Sequence, residues 1–238
     1  MTEETIHIDG INITLFKSTR AKNLNITIKP FSGVRVSVPK TISFKKAKSI
    51  VEQRMEWIKK HLPRMQKAED LFTVFSWDTE FKTREHELVL VQSEKDTLRA
   101  TVRNCQIKID IPKGMKIFEN IVQEEIRKGI ERAWRREAKA WLPGRLEELA
   151  KTHGFSYKKI TIQNAKTRWG SCSYDNSINL SLHLMRLPDY LIDYVILHEL
   201  VHTKIKNHSP QFWQLLEQVS GNARKLDREV KEFRIEIY

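Results

Sequence analysis

The segment His198-Glu199-Leu200-Val201-His202 places two imidazoles and a carboxylate in the spacing H-E-x-x-H. Residues at i and i+4 of a helix lie on one face. Two imidazoles there can bind one metal ion at about 2.0–2.1 Å from each nitrogen. Glu199 stands beside that face and reaches a water on the metal rather than the metal itself, which is where a general base belongs. Zinc lowers the pKa of such a water to roughly 7. On a buried apolar helix, two histidines and a glutamate without partners are costly, and a metal removes that cost. His208, six residues after His202, is the candidate third ligand, and Glu217 on the following segment is the alternative. Three protein ligands plus water give a catalytic site with an open position. The related segment His86-Glu87-Leu88-Val89-Leu90 lacks the second histidine and lies in an alternating stretch, so it reads as structural.

Other residues near the motif have weaker claims. Arg168 and Trp169 read first as a cation–aromatic packing pair. Arg168 is also a candidate to polarise the substrate carbonyl or its tetrahedral oxyanion. Tyr194, Tyr190 and His183 are further candidate donors to the oxyanion, and spacing does not choose among them. Cys172 reads as a small buried thiol.

The elements that must position these groups follow from periodicity. Pro188 and Asp189 open a helix over 189–204 whose residues Leu191, Ile192, Val195, Ile196, Leu197, Leu200 and Val201 make it apolar nearly all round, hence buried. That helix must stop soon after His202. Six more helical residues would rotate a side chain by about 600°, leaving it about 240° from His202 and about 9 Å further on. Thr203 to Asn207 therefore has to turn back, with Asn207 the residue most tolerant of a left-handed conformation. Ser209 and Pro210 restart a helix as N-cap and first residue. Before the metal helix, Ile160–Ile162, Arg168–Ser173 and Ser177–Leu182 read as strands, with Asp175-Asn176 as a turn. They predict a small antiparallel sheet over 160–182 packed on the helix.

Upstream, Phe118 to His153 has helical spacing, with Gly154 as its C-terminal cap and Pro143 expected to kink or split it. The first forty residues read as strands, among them Asn25–Lys29 and Gly33–Pro39 joined by a turn over 30–33. Ser43 caps a helix over about 43–62 that Pro63 is expected to end. Glu87–Gln92, Leu98–Val102 and Gln106–Ile111 return to strand character. The fold class is α+β. A β-rich amino-terminal region with one helix, 1–115, precedes a catalytic domain, 116–238. No internal repeat is evident in the sequence.

Composition sets the remaining bounds. The chain has 238 residues, 40% hydrophobic and 30% charged, which is globular. No run of 18 apolar residues suggests a membrane span. Two cysteines, Cys105 and Cys172, argue against a disulfide framework, and the expected location is cytoplasmic. The net charge is +12, and residues 1–70 hold 14 Lys+Arg against 7 Asp+Glu, or +7. Such an excess reads first as a solvated surface. It also leaves open a nucleic-acid partner attracted by a long-range field.

Four segments resemble the YgjP-like metallopeptidases. They are Lys166-Thr167-Arg168-Trp169-Gly170-Ser171-Cys172, Ile192 through His202, Asn207-His208-Ser209-Pro210-Gln211-Phe212-Trp213, and the stretch from Ser18-Thr19-Arg20-Ala21 through Gly33–Pro39. The resemblance implies a zincin-like catalytic domain with His198, His202 and His208 on zinc and Glu199 as base. After Ser220 the chain departs from the family, since Gly221-Asn222 replaces a proline-rich turn. The spacing to His208 is also that of metzincins, but Ile205 stands where those carry glycine. The expected function is zinc-dependent hydrolysis of a peptide or protein bound extended along the sheet edge. The alternatives are a nucleic-acid-associated protease or binding module and a metal hydrolase acting on a non-peptide amide.

Overall fold

Alternating apolar residues in the first seventy positions close a small sheet over two helices. The computed structural model describes residues 3–29, 33–69 and 72–233, in two compact units that divide between Thr73 and Val74. In the first unit β1 (Glu3–Ile8), β2 (Ile11–Ser18), β3 (Asn25–Lys29) and β4 (Gly33–Pro39) take the order β1-β2-β4-β3. Asp9 and Gly10, at φ 49° and 78°, form the tight turn that suits a hairpin. Ile13, Leu15, Val34, Val36 and Val38 point to one face and are buried with Ala47, Val51, Met55 and Ile58. The last four lie on α1 (Phe44–Glu52) and α2 (Met55–Glu69). Ser43 caps α1 as expected, accepting from the Lys46 amide at 3.3 Å. The single helix expected over 43–62 is thus two, broken at Gln53-Arg54. The helix does not end at Pro63, which sits exposed inside α2 and gives up one hydrogen bond on the solvent side. Most of the turn expected over 30–33 lies outside the described residues.

The second unit begins with β5 (Glu87–Ser93), β6 (Arg99–Arg103) and β7 (Gln106–Pro112), in the order β5-β7-β6. This sheet packs on α3 (Asn120–His153). At Gly129 of that helix an added Cβ would lie 2.9 Å from Ile109 Cδ1 and 3.0 Å from Ile107 Cγ2. Such close packing explains why the units divide at 73/74 and not at 115. Pro143 does not split α3, because Leu142 and Leu146 on either side are fully buried. Gly154 caps the helix at φ 64°, the left-handed conformation that favours glycine.

The third sheet holds β8 (Lys159–Gln163), β9 (Gly170–Cys172) and β10 (Ser177–Ser181) in the order β8-β10-β9. It is mixed, not antiparallel throughout. β10 runs parallel to β8, pairing Ile178 with Ile160, and antiparallel to β9, pairing Leu180 with Gly170. The cause is the 164–169 connection, which carries the chain past the place of β10 so that β9 forms the far edge. Ser181 anchors this crossing, its amide donating to Trp169 O at 2.8 Å and its hydroxyl to Ala165 O at 2.8 Å. The sheets β2-β4-β3, β5-β7-β6 and β8-β10-β9 share one topology: a strand, then a hairpin whose second strand returns parallel to the first. That repeat is structural and has no counterpart in the sequence pattern.

A 3₁₀ turn, Leu182–Arg186, leads into α4 (Asp189–Val201), followed by α5 (Pro210–Ser220) and α6 (Ala223–Glu232). α4 is buried along most of its length. Its Asp193 accepts two bonds from Arg145 of α3, at 2.7 and 2.6 Å. Among the described residues no helix is long and apolar enough to cross a membrane.

Candidate metal centre

α4 ends where the chemistry requires. His202 is its C-cap, and the chain then tightens as the Thr203 amide donates to Leu200 O (2.9 Å) and the Lys204 amide to Val201 O (3.0 Å). The segment turns back and delivers His208 beside the other two imidazoles. Asn207 contributes through its side chain, which accepts from the Ser209 amide at 3.3 Å, and it is not among the residues with positive φ. Pro210 follows Ser209 at the start of α5 as expected.

One ligand nitrogen from each of His198, His202 and His208 lies within 4.8 Å of the others, and the Nε2 atoms of His198 and His208 are 3.1 Å apart. A tetrahedral zinc with bonds of about 2.0–2.1 Å sets its ligands roughly 3.3–3.4 Å apart, so this pair is close to what one ion needs. His202 donates Nδ1–H to Ile205 O at 3.0 Å, which leaves its Nε2 as the lone-pair nitrogen, a common way to orient a metal-binding imidazole. Burial holds His198 down to about 3, with the neighbouring His202 and His208 adding to the effect, and burial also lowers His202. Both rings are neutral at neutral pH, the form a metal requires. Phe212 of α5 is fully buried. It packs against all three rings, stacked on His202 at 4.5 Å and lying 4.9 and 4.8 Å from His198 and His208. The donor set and its packing fit a divalent cation.

Glu199 is only 6% exposed. Its carboxyl is pressed against the backbone of β9, since a Cβ on Gly170 would lie 2.7 Å from both its Cγ and its Oε1. Burial pushes it up to about 8, against a smaller opposing pull from Arg168. A cleft of about 440 Å³ opens over this carboxyl. It is lined by 166–170, by Tyr194, Val195, His198 and Glu199, and by Asp227, Val230, Lys231 and Phe233 at the C-terminal end.

The structure sorts the secondary candidates. Arg168 and Tyr194 line the cleft. The Tyr194 hydroxyl donates to Asp227 at 3.5 Å and is held well above its usual range, first by burial and then by Asp227. His183 does not reach the cleft. It is fully buried, edge-on to Trp134, and its Nε2–H donates to Asn164 at 2.8 Å. Tyr190 is exposed and donates to Glu229 at 3.1 Å, away from the histidines. The Glu217 carboxylate accepts from the amides of Asn222 and Ala223 at 2.8 and 2.7 Å, so it serves the start of α6 and not the imidazole cluster. Cys172 is half-buried beside Lys206 rather than enclosed. His86 is buried on the carboxylate of Glu137 at 2.7 Å, the structural role expected of it. Sequence reasoning missed the lining from α6 and the packing role of Phe212. The spacing of Ala223 and Val230, both buried on α6, was the available signal for the first.

Fold and site together define a metal-dependent hydrolase of the kind that carries its motif on a helix beneath a short sheet. The model of the YgjP-like metallopeptidase domain matches residues 22–233. The chain belongs to that family and is a metal-dependent peptidase. Among solved structures it is similar to two metallopeptidase zymogens. Jannalysin of Methanocaldococcus jannaschii is 23% identical, with a TM-score of 0.34, over 38% of this chain and 93% of that one. Abylysin of Pyrococcus abyssi is 24% identical, with a TM-score of 0.35, over 38% and 93%. No curated protein matches the chain. The family match lends no support to a nucleic-acid partner.

Proposed function

We propose that the chain holds zinc on His198, His202 and His208 and hydrolyses peptide bonds with Glu199 as general base. The observation that carries this reading is the convergence of three imidazole nitrogens within 4.8 Å beside a buried carboxyl that opens on a cleft. Zinc, when bound, supplies Lewis acidity that brings a water toward deprotonation near neutral pH and polarises a carbonyl.

The remaining work falls to the chain itself. Glu199 takes the proton of the attacking water and returns it to the leaving amine. The close backbone of Gly170 fixes where the carboxyl sits, and a bound dication would offset the burial that raises Glu199, favouring the ionised form a base needs. β9 is an edge strand of its sheet, and its Gly170 and the preceding residues line the cleft. An extended peptide or protein segment can therefore lie along that edge. Arg168 and Tyr194 line the cleft and are the candidates to donate to the developing oxyanion, Tyr194 by exchanging its bond to Asp227 for one to substrate. The test is metal analysis of the purified protein with an unbiased peptide-cleavage profile. Glu199→Gln is expected to keep its zinc and lose hydrolysis by a factor on the order of 10²–10⁴.

A further inference from the structure

Five residues separate His202 from His208, and their contacts define how the third imidazole is held. Thr203 bonds back to its own helix, donating its hydroxyl to Leu200 O at 2.7 Å. The Ile205 carbonyl receives the Nδ1–H of His202. Asn207 turns the chain into Ser209. Lys204 lies over the Phe155 ring at 4.5 Å. Lys206 alone reaches the turn after β9. Its ammonium donates to Ser173 O at 2.9 Å and to the Asn176 side-chain oxygen, and it lies 3.8 Å from Cys172 Sγ.

The receiving turn is itself well tied. Ser173 donates from its amide to Ser177 O and accepts the Ser177 amide on its hydroxyl, both at 2.9 Å. Asn176 holds φ 62°, a left-handed conformation that Asn tolerates and that completes the turn. The Cys172 thiol is raised by burial, so the contact with Lys206 is between an ammonium and a neutral thiol, not an ion pair. One end of this hairpin thus takes Lys206, while the other end, at Gly170, presses on Glu199.

We infer that Lys206 is a positioning residue for the metal centre: by fastening the Thr203–Asn207 segment to the β9–β10 turn, it fixes the third imidazole relative to the other two and to Glu199. The inference rests on the reading of His208 as a ligand. A single ammonium–carbonyl contact on an exposed surface contributes little. This one restrains a segment that places His208 and whose Ile205 carbonyl orients His202, so its effect appears in metal affinity more than in fold stability. Outer groups that hold metal ligands in place typically change affinity by about 10–100-fold when removed.

The experiment uses the full chain, stripped of metal and titrated with Zn²⁺ or Co²⁺. Lys206→Met removes the fastening, while Asn176→Gly removes one of its two acceptors and leaves Ser173 O, glycine keeping the left-handed backbone at 176. Lys206→Met is expected to weaken metal binding by about 10-fold or more and Asn176→Gly by a smaller measurable factor, with the double variant no worse than Lys206→Met and Lys206→Arg recovering most of the loss. The Co²⁺ absorption of Lys206→Met should shift toward that of His208→Ala, while the unfolding midpoints of the metal-free proteins stay together. Wild-type affinity and spectrum in Lys206→Met and Asn176→Gly, with binding still lost in His208→Ala, overturn the inference alone. Wild-type affinity in His208→Ala overturns the ligand reading beneath it. Loss of metal-free stability that accounts for the affinity loss in both variants makes Lys206 structural and also overturns the inference.

Discussion

Replacing Gly170 with alanine tests how tightly the base is held. The added methyl would stand 2.7 Å from Glu199 Cγ and Oε1, whereas ordinary contact begins at 3.4 Å. The carboxyl must therefore move by about 3.4 − 2.7 = 0.7 Å, or β9 must yield by the same amount. A displacement near 1 Å in a reacting geometry costs on the order of 10²-fold, so a fall of roughly 10- to 100-fold in kcat is expected. Stability should change little. Gly170 has no positive φ, so alanine is unstrained there, and the smaller entropy of the unfolded chain favours it by about 0.4–1 kcal/mol, offsetting part of the crowding. Metal affinity should stay within a few-fold of wild type, because Gly170 touches the base and not the imidazoles. The assay is steady-state cleavage of the best peptide from the profile, with zinc stoichiometry and denaturant unfolding on the same samples. Wild-type kcat in Gly170→Ala would refute the claim that β9 positions Glu199. Loss of zinc would refute the assignment of Glu199 and the imidazoles to separate tasks.

Zinc stoichiometry should fall in His208→Ala and hold in Glu217→Ala; the opposite result makes Glu217 the third ligand. Removing metal with a chelator should lower Tm. A site filled at about 1,000 times its Kd contributes about 4 kcal/mol, or roughly 8–16 °C for a domain of this size, and an unchanged Tm by calorimetry would argue against a bound metal. Burial holds His183 at about 4, below its value near 6.5 in the unfolded chain. The unfolded state then binds the extra proton between those values. The stability from His183 is complete above pH 6.5 and is lost as pH falls toward 4, by an amount on the order of 3 kcal/mol. Since His198 and His202 shift in the same direction, His183→Asn should reduce the difference in unfolding free energy between pH 7 and 4.5 without abolishing it, and an unchanged difference would count against a neutral buried His183.

Local spacing made the motif helix, the point where it ends and the Ser209-Pro210 restart legible, because a helical face and a chain reversal are short-range properties. The apolar run of 189–201 announced a buried helix in the same way. What escaped were pairings between distant residues. Periodicity gave the strands of 160–182 but not their order, since the parallel partnership of β8 and β10 is set by a crossing that depends on Ser181 reaching Ala165 and Trp169. The boundary at 115 missed because β5–β7 look like the amino-terminal strands, while it is Gly129 on α3 that lets them pack into the second unit. Pro143 carried a local propensity that packing overrode, and Pro63 one that α2 absorbs at an exposed position. Around the site, Glu217 stood at a plausible ligand spacing, and only the amides of Asn222 and Ala223 show that its oxygens are engaged elsewhere. Lys206 carried no signal, as one exposed lysine among 42 Lys and Arg.

The central claim is that metal binding and proton transfer belong to different residues of one helix. The most direct measurement is zinc content and peptide cleavage in the same preparations of wild type and Glu199→Gln. The account predicts equal zinc in both proteins, with cleavage in the variant lower by a factor on the order of 10²–10⁴. Zinc lost from a folded Glu199→Gln protein, or cleavage retained at the wild-type rate, would contradict it.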